Sequence, residues 1–156
     1  MKVHIVAVGK VKEDYFADGI KEYCKRLSRF AKVEITEIRE ETFLGDPSEA
    51  EKRHIVEEEG ARILKALKGR VIALCVEGER LSSEKFSRVV AKERDAGGEL
   101  TFVIGGSYGL WEEVKSRAFL RLSFSEMTFP HMLMRLILTE QLYRAFMIDA
   151  GSAYHK

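Results

Sequence analysis

The chain has 156 residues, 46% of them hydrophobic and 33% charged. That length and balance suit one globular domain spanning residues 1–156 and exclude a disordered or fibrous chain. The formal net charge is +1, so there is no broad cationic field of the kind that coats nucleic acid. Cys24 and Cys75 form no CxxC pair and imply neither a disulfide framework nor a zinc site; a reducing cytoplasm is expected. The opening MKVHIVAVGK is too short and too soon interrupted for a signal peptide, and no apolar run approaches the roughly 18 residues of a membrane span.

Val3–Val8 is a short apolar run ending at Gly9 and predicts a buried strand. Phe16, Ile20, Tyr23, Leu27 and Phe30 then recur at helical spacing, which predicts a helix over 14–30. Val33–Ile38 alternates with Glu34 and Thr36 and predicts a second strand. Asp46-Pro47 is expected to cap and begin a long helix running to about Leu67, charged in its middle and interrupted by Gly60. Arg70–Val76 predicts a central strand closed by a turn at Glu77-Gly78-Glu79. Ser82 or Ser83 can cap the next helix, which must end before Gly97-Gly98. Glu99–Ile104 predicts another strand, broken by Gly105-Gly106. A short helix near Glu112–Arg117 leads to a strand at Leu120–Phe124, and a last helix runs from about Pro130 to Ile148. Strands alternating with helices predict an α/β fold, a mostly parallel sheet flanked by helices.

Charge is unevenly spread. Residues 21–32 carry Lys21, Lys25, Arg26, Arg29 and Lys32 against Glu22 alone, whereas 34–59 carry ten acidic groups against Arg39, Lys52 and Arg53. The basic stripe permits a localised polyanion contact, and it equally describes a solvated helix face.

Ligands of open α/β sheets bind beyond the strand C-termini. The turn Gly105-Gly106-Ser107-Tyr108-Gly109 follows one such strand. It has neither GxGxxG spacing nor a following Gly-Lys-Ser/Thr, so a nucleotide phosphate is not implied. Either a close backbone approach to a ligand or an ordinary turn explains it. Ser125–Phe129 combines apolar Phe124, Met127 and Phe129 with the Ser125 and Thr128 hydroxyls, which suits a flat heteroaromatic ring and also suits core plugs at a helix entry. His131 falls in the first turn of the last helix, where the dipole favours neutral imidazole. Arg135 and Glu140 on that helix suggest an internal ion pair. The helix is apolar nearly all round, more than a domain of this size is expected to cover, so a subunit interface is expected. The tail Tyr154-His155-Lys156 offers an aromatic, an imidazole and a cation. It suits base stacking and phosphate contact, or a frayed end.

The segments VIGGSYGL, LSFSEMTFPHMLMRLILTEQLYRAF and AYHK, with MKVHIVAVGK and EYCKRL, resemble the small SPOUT-class methyltransferases that modify N3 of a pseudouridine in bacterial large-subunit ribosomal RNA. The resemblance covers essentially the whole chain. It implies a C-terminal deep trefoil knot, which rarity alone argues against. It also implies a homodimer with a composite active site, S-adenosyl-L-methionine as cofactor, and 23S ribosomal RNA within the ribosome as substrate. By the same resemblance Leu74, Gly105, Phe124, Ser125, Glu126, Met127, Thr128 and Phe129 hold the cofactor. His131, Arg144, Tyr154, His155 and Lys156 lie at the substrate, with no metal. An imide nitrogen with a phenol-like pKa of about 10 lies some 4 kcal/mol from its anion at pH 7, so a neutral imidazole or an adjacent cation is wanted there. Two other classes fit less well: a dinucleotide oxidoreductase lacks its fingerprint, and a noncatalytic RNA-binding or ribosome-assembly module leaves the apolar loop unexplained.

Overall fold

The computed structural model describes residues Met1–Lys156. The elements in chain order are β1 (Lys2–Val8), α1 (Asp14–Leu27), β2 (Lys32–Ile38), α2 (Glu49–Ala66), β3 (Arg70–Arg80), α3 (Ser83–Asp95), β4 (Glu99–Ile104), α4 (Glu112–Ser116), β5 (Leu120–Ser123) and α5 (His131–Asp149). The strands form one sheet in the order β2-β1-β4-β3-β5, every pairing parallel.

Period-two alternation assigns each strand residue to one of two cores. Val3, Ile5 and Ala7 of β1, with Leu100, Phe102 and Ile104 of β4, face α1, α3 and α5. Val6 and Val8 of β1, with Val71, Ala73 and Val103, face α2 and α4. Because both faces are covered, the central strands read as unbroken apolar runs.

α2 begins two residues later than Asp46-Pro47 implies. Ser48 is the N-cap: its hydroxyl accepts from Glu51 N at 3.3 Å, and the Glu51 carboxylate accepts from Ser48 N at 2.7 Å. Such a reciprocal box stabilises a helix start by about 1 kcal/mol. Gly60 inside α2 exists for packing, since a Cβ there would lie 2.6 Å from Trp111 Cβ. Gly60→Ala therefore loses stability despite Ala's helix propensity. We expect about 1–3 kcal/mol of destabilisation in urea titration, and a gain would show that Trp111 moves freely.

β3 differs most from expectation. Glu77-Gly78-Glu79 is not a closing turn but part of the strand. Leu74 and Glu79 are both registered on Leu122, so Cys75–Gly78 bow out between two stretches of pairing with β5. Gly78 permits this, because a Cβ there would meet the Arg121 backbone at 2.7 Å.

α5 buries Leu138, Leu142, Ala145 and Phe146 on the sheet. α1 flanks it through Gly19, whose missing side chain leaves room for Leu136, and α3 through Ser83, whose hydroxyl lies 3.0 Å from Gln141 Oε1. The chain thus covers more of this helix than its composition suggests. Leu133, Ile137, Glu140 and Arg144 share the remaining face and stay partly exposed. No helix is long and apolar enough to cross a membrane.

Arg135 is 1% exposed and pairs not with Glu140 but across the sheet end, donating to Glu37 Oε1 at 2.8 Å and to Gly9 O at 2.9 Å. Glu37 also accepts from Val11 N at 3.3 Å. One buried guanidinium therefore fixes the loop after β1 to the start of α5.

Candidate active site

Three segments leave the C-terminal end of the sheet side by side: the bowed part of β3, the glycine turn after β4, and the segment joining β5 to α5. They enclose a cleft of about 350 Å³. Seven of the residues implicated in cofactor binding line it, namely Leu74, Gly105, Phe124, Ser125, Met127, Thr128 and Phe129. Glu126 is the exception, for its side chain turns outward to Arg80 at 2.7 Å. His131 also lines the cleft, and its buried Nε2 has no hydrogen-bond partner.

The local sequence explains the shape. Gly105 and Gly109 come so close that a Cβ on Gly105 would lie 2.7 Å from Gly109 O. Gly109 has φ +86°, and a Gly106↔Gly109 bridge ties the turn. Behind it, buried Glu59 accepts from Glu41 N at 3.0 Å, and burial raises its carboxyl above the usual range. On the other wall the Ser123 hydroxyl donates to Ser125 O at 2.9 Å, and Met127 N donates to the Ser125 hydroxyl at 3.0 Å. These bonds hold the 123–127 segment open. Phe124 packs edge-on against Phe86.

Sequence reasoning missed Cys75, Val76 and Lys115, and placed Glu77 only in a turn at a strand end where ligands bind; all four also line the cleft. Lys115 sits 2.7 Å from Glu77 and 3.3 Å from Glu112, and its ammonium holds the Glu77 carboxyl below the usual range. No short motif signals these residues: the bow in β3 that presents Cys75, Val76 and Glu77 depends on pairing with β5, and Lys115 reaches the cleft from α4. The cleft fits a sulfonium-bearing nucleoside in kind: apolar walls, a glycine cradle and one orphaned imidazole nitrogen.

The other residues implicated at the substrate gather elsewhere. Arg144 donates to Glu140 Oε1 at 2.6 Å. The Tyr154 hydroxyl donates to the same oxygen at 3.0 Å, and the Arg144 guanidinium lies 4.8 Å from the Tyr154 ring centroid. Burial, then the Tyr23 hydroxyl and the Glu140 carboxylate, push the Tyr154 phenol well above its usual value, so it stays protonated. His155 Nδ1 lies 3.3 Å from Arg144 Nη1 and Nε2 lies 2.9 Å from Glu84 Oε1. Arginine only donates, so Nδ1 accepts and Nε2–H donates to Glu84. The Ser82 hydroxyl, then His155, pulls the Glu84 carboxyl down to about 2. Lys156 ends the chain exposed. The tail is thus tied down rather than frayed. His131 and Arg144 stand about 20 Å apart along α5 at ~1.5 Å per residue, so a single chain does not bring tail and cleft together.

The family model described as "Predicted SPOUT methyltransferase" matches residues 1–155. Ribosomal RNA large subunit methyltransferase H of Streptococcus mutans serotype c is 52% identical over 159 aligned residues, covering 100% of both chains. The protein of the same name from Streptococcus gordonii is also 52% identical with 100% coverage of both. Among solved structures, a methylase-family protein from Neisseria gonorrhoeae superposes with a TM-score of 0.51 at 9% identity, covering 99% of this chain and 86% of that one, a likeness of fold. Full-length agreement with the family model and with relatives at this identity is decisive: the chain belongs to the SPOUT methyltransferase family.

Proposed function

We propose that this protein transfers a methyl group from S-adenosyl-L-methionine to N3 of a pseudouridine in 23S ribosomal RNA, acting as a homodimer on assembled particles. The observation that carries the reading is the cleft at the ends of β3, β4 and β5, walled by the glycine turn and by Phe124, Met127 and Phe129. The names of the Streptococcus relatives support the class of RNA. The trefoil knot belongs to the same reading.

The dimer follows from the open face of α5. Suppose two copies meet antiparallel with the crossing centred near Ile137. Arg144 of one copy then lies level with Pro130 and His131 of the other, since both are equally far from the centre. Leu133 and Ile137 supply the apolar contact. The tail of one protomer reaches the cleft of its partner, and the 20 Å gap within a chain closes between chains.

The cofactor supplies an electrophilic methyl carbon, so the protein's task is to prepare the nitrogen. N3 of the base loses its proton as it gains the methyl group. The imidazoles of His131 and His155 are the groups able to accept that proton. Arg144 and Lys156 stabilise the developing anion. Tyr154, held as the neutral phenol, orients by stacking and donation rather than by accepting the proton. His155 Nδ1 is capped by Arg144 in the single protomer, so the tail must shift before that nitrogen can serve.

Two measurements test the reading. Titration calorimetry should give saturable binding of S-adenosylmethionine, and a chain indifferent to it is a noncatalytic RNA-binding module instead. Mass spectrometry of 23S RNA incubated as whole particles should show one methyl group gained. Naked RNA should react far more slowly, because a near-neutral protein depends on shape more than on field. Equal rates on a short hairpin would contradict the assembled-particle substrate.

A further inference from the structure

α1 and the C-terminal half of α5 enclose a second depression of about 400 Å³, apart from the cleft. Its lining includes Glu22, Lys25, Arg26, Arg29, Phe30 and Tyr143. The single carboxylate is committed. Glu22 accepts from Arg26 Nε at 2.8 Å, and Arg26 holds it below the usual carboxylate range. Arg26 in turn lies 5.5 Å from the Tyr23 centroid and 5.8 Å from that of Tyr143. Lys25 and Arg29 are exposed and have no ion-pair partner beside the one Arg26 takes. Two uncommitted cations therefore stand over a depression with an aromatic floor, on a molecule whose net charge is only +1.

The floor is built rather than incidental. Phe30 stacks on Phe146 at 5.4 Å, and Tyr143 meets Tyr154 edge-on at 5.0 Å. The depression thus shares Tyr143 with the tail cluster, and any polymer lying in it arrives beside Tyr154 and His155. A second copy of the chain is a poor occupant, since a two-fold contact would oppose like charges. Cations on phosphates beside aromatic rings are how single-stranded nucleic acid is gripped.

We propose that this groove holds the RNA strand flanking the methylated nucleotide, with Lys25 and Arg29 on phosphodiester oxygens. The inference rests on the RNA reading above and adds the path by which the strand reaches the tail. It gives a use to the basic stripe on α1 that net charge alone leaves idle.

The test uses the full-length protein and ribosomal particles from cells lacking it. For Lys25→Ala/Arg29→Ala, KM for particles should rise at least about tenfold. The slope of log affinity against log salt should become shallower by about 1.4, or roughly 0.7 per lost contact. kcat and S-adenosylmethionine affinity should stay unchanged. Lys25→Arg/Arg29→Lys should restore both KM and slope. Unchanged KM and slope in the alanine pair overturn the proposal, as does a loss confined to kcat. Cosedimentation with particles gives a readout independent of turnover. If the unaltered protein binds particles but transfers no methyl group, the reaction reading fails while the alanine pair still tests the groove. If it binds no particles, both fail.

Discussion

A chain ending at Ala153 should lose turnover on ribosomal particles by about 10²- to 10⁴-fold while keeping its affinity for S-adenosylmethionine. The cleft is built from β3, β4 and the 123–129 segment, whereas the tail is held by Glu140 of α5 and Glu84 of α3. Removing Tyr154, His155 and Lys156 takes away the imidazole, the terminal cation and a neutral aromatic donor in one step. It also frees Glu140, Arg144 and Glu84, all partly solvated, so the fold should survive. Steady-state kinetics with parallel calorimetry separate the two effects. Wild-type turnover by the truncated chain would reduce the tail to an ornament of α5. Mixing this truncation with a His131→Ala chain sharpens the test. A heterodimer pairing an intact cleft with the other subunit's intact tail should recover activity that neither parent has.

Arg135→Ala should cost about 3 kcal/mol of stability, or roughly 6–12 °C in Tm for a domain of this size. The guanidinium is 1% exposed and bonds both Glu37 and Gly9 O. Its loss strands a backbone carbonyl and a carboxylate near the start of α5. Glu37 is 36% exposed, so water solvates part of the orphaned charge, which places the cost at the lower end for a buried pair. Arg135→Met should be milder, because it fills the volume left by the removed charge. Cofactor affinity should fall too. Gly9 has φ +83°, and a Cβ there would sit 2.9 Å from Met132 and 3.2 Å from His131 Nε2. That loop therefore buttresses the residue lining the cleft. Thermal melts and calorimetry check both parts, and unchanged melting would show that the ion pair is fully exchanged for water.

Much of the fold was legible because local rules agreed with the global answer. The apolar runs at Val3–Val8 and Glu99–Ile104 sit in the centre of the sheet, and Ser82, Gly97 and Gly105 punctuate as their chemistry requires. Two of the misreadings come from partners distant in sequence and one from a local competition. Glu77-Gly78-Glu79 looks like a turn until β5 pairs with β3 on either side of it. Arg135 and Glu140 look like partners until Glu37 arrives from β2, far away in sequence. Asp46-Pro47 looks like a cap until Ser48 and Glu51 outcompete it through two hydrogen bonds.

The sequence by itself determined the order of strands, helices and turns, and it marked which residues are candidates for chemistry. Hydroxyls, imidazoles and glycines are chemically specific wherever they fall, and strand ends announce themselves by periodicity. Only tertiary structure decided how those residues group: a cleft around Gly105 and Phe124–Phe129 with His131, and a separate tail cluster on Arg144 and Glu140. It also revealed that Lys115 and Glu77 close one wall. Grouping depends on long-range strand pairing and on which face of α5 the other helices cover, and neither quantity is written in any short stretch of chain.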